Sequence, residues 1–200
     1  MYTSLESSLR KKWGYELAGM DEAGRGPWAG PVFAACVMLP RGLRLAKLND
    51  SKKLTKEQRE QLYDILIHRA HVGWSFASVT IIDKVGIKKA NHIAMIQALA
   101  MLTRKITPKF LLVDGKDKYK FDIPSQDVIR GDGKIRAIAA ASIIAKVERD
   151  RFMIKMAEKY PQYDFHLHKG YGTQRHQRLL RQNGACEIHR KSFKPIMALI

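Results

Sequence analysis

The sequence predicts an α/β fold, a sheet flanked by helices. Three observations carry that reading. Strands come first and then alternate with helices, the order that builds a sheet covered by helices. Acidic residues stand at or just beyond the ends of apolar strands, or beside glycine, where open α/β sheets place their sites. Two hundred residues, 46% of them hydrophobic, suffice for one sizeable core.

Each element follows from a local pattern. After a polar start, Tyr15 to Asp21 reads as a strand that stops at the glycines. Val32 to Leu39 is a second strand, almost wholly apolar and so buried on both faces, ended by Pro40 and Gly42. A polar loop, Leu48 to Thr55, leads to a helix whose start is marked by a capping box of Thr55 and Gln58, running to about Arg69. Period-two alternation predicts a third strand over Val72 to Val79. Thr80 is read as capping a short turn before a helix over Lys88 to Lys105, closed by Pro108. Phe110 to Val113 is a compact strand ending in Asp114-Gly115, and a short strand is placed over Asp127 to Arg130. The strongest helix signal runs from Ile135 to Tyr160 and stops at Pro161. A histidine-rich loop, Tyr163 to Gly172, precedes a last helix capped by Thr173 and ended near Gly184.

Charge narrows the partner. Lys and Arg number 36 against 19 Asp and Glu, a net +17. Such an excess favours a polyanion, because each neutralised phosphate releases counterions. No run of 18 or more apolar residues spans a bilayer, and Met1 to Lys12 holds no apolar signal core, so the protein is read as cytoplasmic. Cys36 and Cys186 are read as free thiols, and no Cys/His cluster has zinc spacing. Nucleic acid is the leading partner.

The chemistry is carried by Asp21, Glu22, Asp114 and Asp132. Four carboxylates in one place repel one another and raise each other's pKa unless cations neutralise them. Two Mg²⁺ or Mn²⁺ ions prefer oxygen ligands and, about 4 Å apart, support phosphodiester hydrolysis. Aspartate beside glycine is also a common turn residue, and singly Asp114 or Asp132 reads better as a turn. Neighbours on a regular strand point to opposite faces, so spacing alone favours Asp21 over Glu22.

The run Gly19-Met20-Asp21-Glu22-Ala23-Gly24-Arg25-Gly26-Pro27-Trp28-Ala29-Gly30-Pro31-Val32 resembles the signature of the ribonuclease HII family. Further motifs follow in the family's order: Asn49-Asp50-Ser51-Lys52-Lys53-Leu54, Val113-Asp114-Gly115, Gly131-Asp132-Gly133-Lys134, Ala139 to Val147, His168 to Thr173, and His189 to Phe193. The resemblance spans roughly Gly14 to Pro195. It implies an RNase H-like mixed sheet flanked by helices, with residues 1–200 as one catalytic domain and about 162–200 as a small helical C-terminal extension. It also implies a metal-dependent endonuclease that cuts the RNA strand of RNA–DNA hybrids and single ribonucleotides in duplex DNA, leaving 3′-hydroxyl and 5′-phosphate ends, acting as a monomer. By resemblance the four acids are the metal ligands, which restores Glu22. Gly24-Arg25-Gly26 matches the element that reads the 2′-hydroxyl through its backbone, and Tyr171 the tyrosine that packs on the next sugar.

The residue types suit those roles. Only the 2′-hydroxyl separates RNA from DNA at one nucleotide, and glycines let backbone approach it without a Cβ in the way. Ser51, Lys52 and Lys53 are expected at phosphates, although for each a solvated surface role is nearly as good, and Lys146, counted with the substrate contacts, lies with Arg149 on the long helix, facing the nucleic-acid backbone or solvent. Arg25 is a phosphate clamp or a surface charge, and the motif favours the clamp. Asp150 reads as a partner for Arg151 or another surface base somewhat ahead of a supporting role at the metals, and His166, His168 and His176 as phosphate contacts or loop packing. Trp28, where the family has a smaller aliphatic, and Gly133, where it has serine, depart from the pattern. Two rivals stand beside this reading. Ribonuclease HIII, the nearest, usually carries an extra N-terminal substrate-binding domain, whereas about twenty residues precede Asp21 in this sequence. A non-catalytic basic RNA-binding protein explains the charge but not the acids.

Overall fold

The computed structural model describes residues 4–45, 48 and 50–198, so Asn49 of the second motif lies outside the described residues. Helix α1 (Ser4–Trp13) is followed by strands β1 (Leu17–Ala23) and β2 (Val32–Met38), then helix α2 (Lys56–Arg69) and strand β3 (His71–Ala77). Helices α3 (Val79–Val85) and α4 (Ile87–Thr103) precede β4 (Phe110–Asp114) and β5 (Ser125–Val128). Helix α5 (Arg136–Lys159), the short α6 (Phe165–His168), α7 (Gln174–Asn183) and α8 (Lys194–Met197) complete the chain.

The sheet is mixed, in the order β3-β2-β1-β4-β5. β1, β2 and β3 pair antiparallel, while β4 lies parallel to β1 and β5 parallel to β4. Because β1, β4 and β5 run the same way, their carboxyl ends open on one edge. Alternation sends Met20, Ala34, Cys36, Leu111 and Val113 toward one face, where they pack with Ala94, Met95 and Ala98 of α4. Ala35 and Val37 point to the other, against Leu62 and Leu66 of α2 and the alanine-rich start of α5. A third cluster, around Tyr163, Phe165, Leu180 and Ile196, seats the C-terminal helices on Met153 of α5.

Local signals set several boundaries as the sequence predicts. Thr55 Oγ1 accepts from the Gln58 N–H at 3.2 Å while Gln58 Oε1 accepts from the Thr55 N–H at 3.0 Å, the reciprocal box that starts α2. Thr173 caps α7 and Gly184 ends it with a positive φ of 72°. Elsewhere the structure corrects the reading. β1 does not stop at Asp21: it pairs with β2 as far as Ala23 opposite Phe33, so both acids lie inside a regular strand. Ser78, not Thr80, caps the following turn, which is the helix α3. The fifth strand sits two residues early because Leu111 to Asp114 pair with Ser125 to Val128. The polar start is helical, and its buried Glu6 accepts from the Arg136 N–H at 3.0 Å, so α1 supplies the acid that caps α5.

Candidate active site

Three of the four predicted acids converge. Met20 pairs with Val113 in the parallel register, so Asp21 and Asp114 follow side by side at the sheet edge. Asp132 comes from a 3₁₀ turn, Gly131–Gly133, between β5 and α5. One carboxylate oxygen from each of Asp21, Asp114 and Asp132 lies within 4.8 Å of the others. Backbone amides hold one oxygen of each carboxylate: the Glu22 N–H donates to Asp21 at 2.7 Å, Gly131 to Asp114 at 2.6 Å and Gly133 to Asp132 at 2.9 Å. Gly19, two residues before Asp21 on the same face, lets α5 approach so closely that a Cβ there would stand 2.1 Å from the Ala137 carbonyl carbon.

Clustering is electrostatically costly without cations. Burial, and then the charges of Glu22 and Asp114, push the Asp21 carboxyl well above the usual carboxylate range. Burial likewise raises Asp114. Among the described residues the Lys52 ammonium, 3.4 Å from Asp132, is the one base in contact, and it is largely exposed. A set of hard oxygen donors this close, mostly desolvated and short of positive charge, fits a divalent cation.

Glu22 points to the opposite face of β1. Its carboxylate is 3.5 Å from Arg25 Nη1, which also donates to Asp117 at 2.6 Å, and Lys88 pairs with Asp117 at 3.3 Å. Burial raises the Glu22 carboxyl, with Arg25 opposing. Arg25 is thus engaged by two carboxylates. Asp117, read from the sequence as part of a charged loop, is a member of this network, and its only local sign is its place three residues after Asp114.

The loop from Gly24 to Pro31 is held from beneath by two buried guanidiniums. Arg190 donates to the carbonyls of Gly24 (2.5 Å), Arg25 (2.9 Å) and Gly30 (2.8 Å). Arg149 donates to those of Ala29 (3.1 Å), Pro31 (3.3 Å) and Lys169 (3.0 Å). Gly24 is required here: its φ is +100°, and a Cβ would stand 2.1 Å from Arg149 Nε. Burial lowers both arginines, Arg149 to about 10 and Arg190 to about 9, which leaves them charged at neutral pH. Tyr171 is exposed beside this loop, its Cε1 3.9 Å from where a Cβ on Gly26 would be and its ring 5.8 Å from the Arg149 guanidinium carbon.

His168, His176 and His189 are buried and pack together, while His166 is exposed. His176 Nδ1 donates to the Tyr171 carbonyl at 2.9 Å, which leaves its Nε2 to accept from His189 Nε2 at 3.0 Å. His189 Nδ1 then accepts from the Cys186 N–H at 2.9 Å. His168 stacks on His176 with centroids 4.4 Å apart. The relay fixes the backbone at Tyr171, and burial pushes His176 and His189 down to about 4. Trp28 packs on Gly172, where a Cβ would lie 2.2 Å from the indole, so the larger residue at 28 goes with the absence of a side chain at 172.

Of the expected phosphate contacts, Ser51 is buried and its carbonyl accepts from Arg59 at 2.9 Å, while Lys53 is exposed. Lys146 pairs with Asp150 at 2.8 Å, which gives Asp150 its base, and Arg151 pairs with Glu60 instead. The burial of Arg149 and of Arg190 is what sequence reasoning missed. Nothing local marks them as buried, since their carbonyl partners lie 20 to 166 residues away.

A mixed sheet with a carboxylate cluster at the ends of its parallel strands defines a site for hydrolytic chemistry on a polyanion. Comparison makes the class particular. Residues 18–196 match the family model for ribonuclease HII, and the chain belongs to that family, as a ribonuclease H of type HII. Ribonuclease HII of Bacillus cereus (strain Q1) is 46% identical over 196 residues, 98% of this chain and 75% of that protein. The crystal structure of ribonuclease H2 from Pyrococcus horikoshii OT3 matches with a TM-score of 0.77 at 27% identity, covering 92% of this chain and 96% of that one. A chain of the PCNA:RNase HII complex from Archaeoglobus fulgidus matches with a TM-score of 0.77 at 26% identity, over the same shares. Divalent metal dependence accompanies the family, and among the described residues no helix is long and apolar enough to cross a membrane.

Proposed function

We propose that this enzyme cuts the RNA strand of RNA–DNA hybrids and single ribonucleotides embedded in duplex DNA, leaving 3′-hydroxyl and 5′-phosphate ends. Residues 1–200 act as one catalytic domain, a cytoplasmic monomer that needs no membrane. The observation that carries the reading is that Asp21 of the carboxylate cluster lies on the strand that runs directly into the Gly24–Gly26 loop, with Tyr171 beside Gly26.

Asp21, Asp114 and Asp132 would hold Mn²⁺ or Mg²⁺, two ions during catalysis, with Glu22 contributing from the opposite face of β1. Bound ions supply charge neutralisation and Lewis acidity at the phosphodiester. The protein's own groups do the rest. Exposed Gly26 and the backbone beside it approach the ribose, where a Cβ would obstruct contact with the 2′-hydroxyl. Tyr171 offers an apolar face that a deoxyribose fits and a 2′-hydroxyl crowds. Lys52 reaches Asp132 at 3.4 Å and stands where it can steer a phosphate to the acids, with Ser51, Lys53 and Lys146 along the backbone path.

Product analysis tests the chemistry. An RNA–DNA hybrid digested with the protein and Mn²⁺ should give fragments that a ligase joins without prior phosphorylation. Fragments with 2′,3′-cyclic phosphate or 3′-phosphate ends would rule out this cleavage.

A further inference from the structure

Arg190 is fully buried, yet no carboxylate touches its guanidinium among the described residues. Its bonds run to backbone carbonyls only. A buried cation spent wholly on one loop calls for a reason, since its desolvation costs several kcal/mol. The geometry supplies one.

In a trans peptide the carbonyl and the next residue's N–H point in opposite directions, and the described residues hold no cis bonds. Arg190 Nη2 draws the Gly24 carbonyl inward, so the Arg25 N–H faces out. Arg190 Nη1 draws the Arg25 carbonyl inward, so the Gly26 N–H faces out. Neither N–H donates to a backbone or side-chain acceptor among the described residues. Gly26 is exposed, and the nearest atom to a Cβ there is Tyr171 Cε1 at 3.9 Å. Two successive amides aimed the same way form a concavity for one electron-rich oxygen.

We infer that Arg190 is a positioning residue for ribose recognition: by holding the Gly24 and Arg25 carbonyls it presents the Arg25 and Gly26 amides as a fixed pair of donors to a 2′-oxygen. The inference rests on the proposed ribonucleotide-directed function and names the device that makes the loop selective. A free loop would have to order its amides at each encounter, whereas a loop clamped from beneath meets the oxygen ready-made. Arg190 touches no substrate, so its loss acts on selectivity between sugars and leaves the binding of phosphates alone.

The test measures binding, not cutting. In the cleavage-blocked Asp114→Asn protein, affinities are measured for two duplexes of one sequence, one all DNA and one with a single ribonucleotide. Arg190→Lys, which keeps the charge but not the three-pronged fork, and Arg190→Met are added to that background, with thermal melts to show that they fold. The preference for the ribonucleotide duplex should fall about three- to tenfold in both, the range that a net hydrogen bond spans, with all-DNA affinity unchanged. Folded variants that keep the parental preference, or that lose affinity for both duplexes alike, would overturn the assignment. A parent that binds both duplexes equally would overturn the ribonucleotide reading, and this inference with it. Should the variants not fold, amide NMR on the Asp114→Asn protein decides. The Arg25 and Gly26 amides should shift and gain protection from exchange with the ribonucleotide duplex and not with the DNA one, and unchanged amides would refute the proposal.

Discussion

Gly19 of β1 lies directly against Ala137 of α5, so close that a Cβ on the glycine would stand 2.1 Å from the Ala137 carbonyl carbon and 2.2 Å from the Ile138 nitrogen. Both are backbone atoms, which cannot rotate away. Asp21 is two residues along the same face of β1, and Asp132 is four residues before the start of α5. The contact therefore sets the spacing of two acids as well as the packing of the core.

Gly19→Ala should lower stability by about 1–3 kcal/mol or more, as overpacking does. In a domain of this size that is a drop in Tm of about 2–4 °C per kcal/mol. Activity should fall further than the fraction unfolded explains, because α5 must shift to accept the methyl group. A melting curve and an assay at a temperature where the variant is fully folded check both parts.

The carboxylates should separate in their response to metal. Asp114→Asn removes a member of the three-oxygen cluster and should abolish the tightest Mn²⁺ binding seen by titration calorimetry. Glu22→Gln, on the other face of the strand beside Arg25, should keep that first ion and lose affinity for a second. Equal losses in the two variants would place Glu22 inside the primary cluster.

How much of this was legible follows from the range of each interaction. The Thr55–Gln58 box is complete within four residues, and the start of α2 falls where the sequence puts it. The end of β1 depends on pairing with Phe33, ten residues on, and the glycines' local signal misplaced it. Spacing set Asp21 apart from Glu22, and the strand does send them to opposite faces. The site's motifs were visible as a string, but what holds them was not. Arg190 acts on Gly24 across 166 residues, and no pattern in His189 to Phe193 announces a buried guanidinium.

Acid should loosen the part of the molecule that carries Tyr171. His176 and His189 are held neutral by burial, with pKa values near 4 against an ordinary 6.5. Above pH 6.5 both are neutral whether folded or unfolded, and they add no pH dependence. As pH falls from 6.5 to 4 the unfolded chain takes up protons that the folded one refuses, so stability is lost across that window, at about 1.4 kcal/mol per pH unit for one such group. Tm should decline between pH 6.5 and 4, and less steeply in His189→Gln. An identical slope in the variant would show that the pair does not govern it.

Tyr171→Ala should harm cutting at a DNA–RNA junction more than cutting within an RNA–DNA hybrid. Its exposed ring faces the Gly26 loop at 3.9 Å from a Cβ there, and under the proposed function it packs on a deoxyribose that only the junction provides. Steady-state rates on the two substrates compare directly, and equal losses would refute the sugar-packing role.

The central claim is that a metal-holding carboxylate cluster and a ribose-reading loop work on one phosphodiester. The most direct measurement incubates the protein with Mg²⁺ or Mn²⁺ and a DNA duplex holding one ribonucleotide, beside the Asp114→Asn variant. A single cut at the DNA–RNA junction by the unmodified protein, absent from the variant and from an all-DNA duplex, is the predicted result. No cut by the unmodified protein, or equal cutting of the all-DNA duplex, would contradict the account.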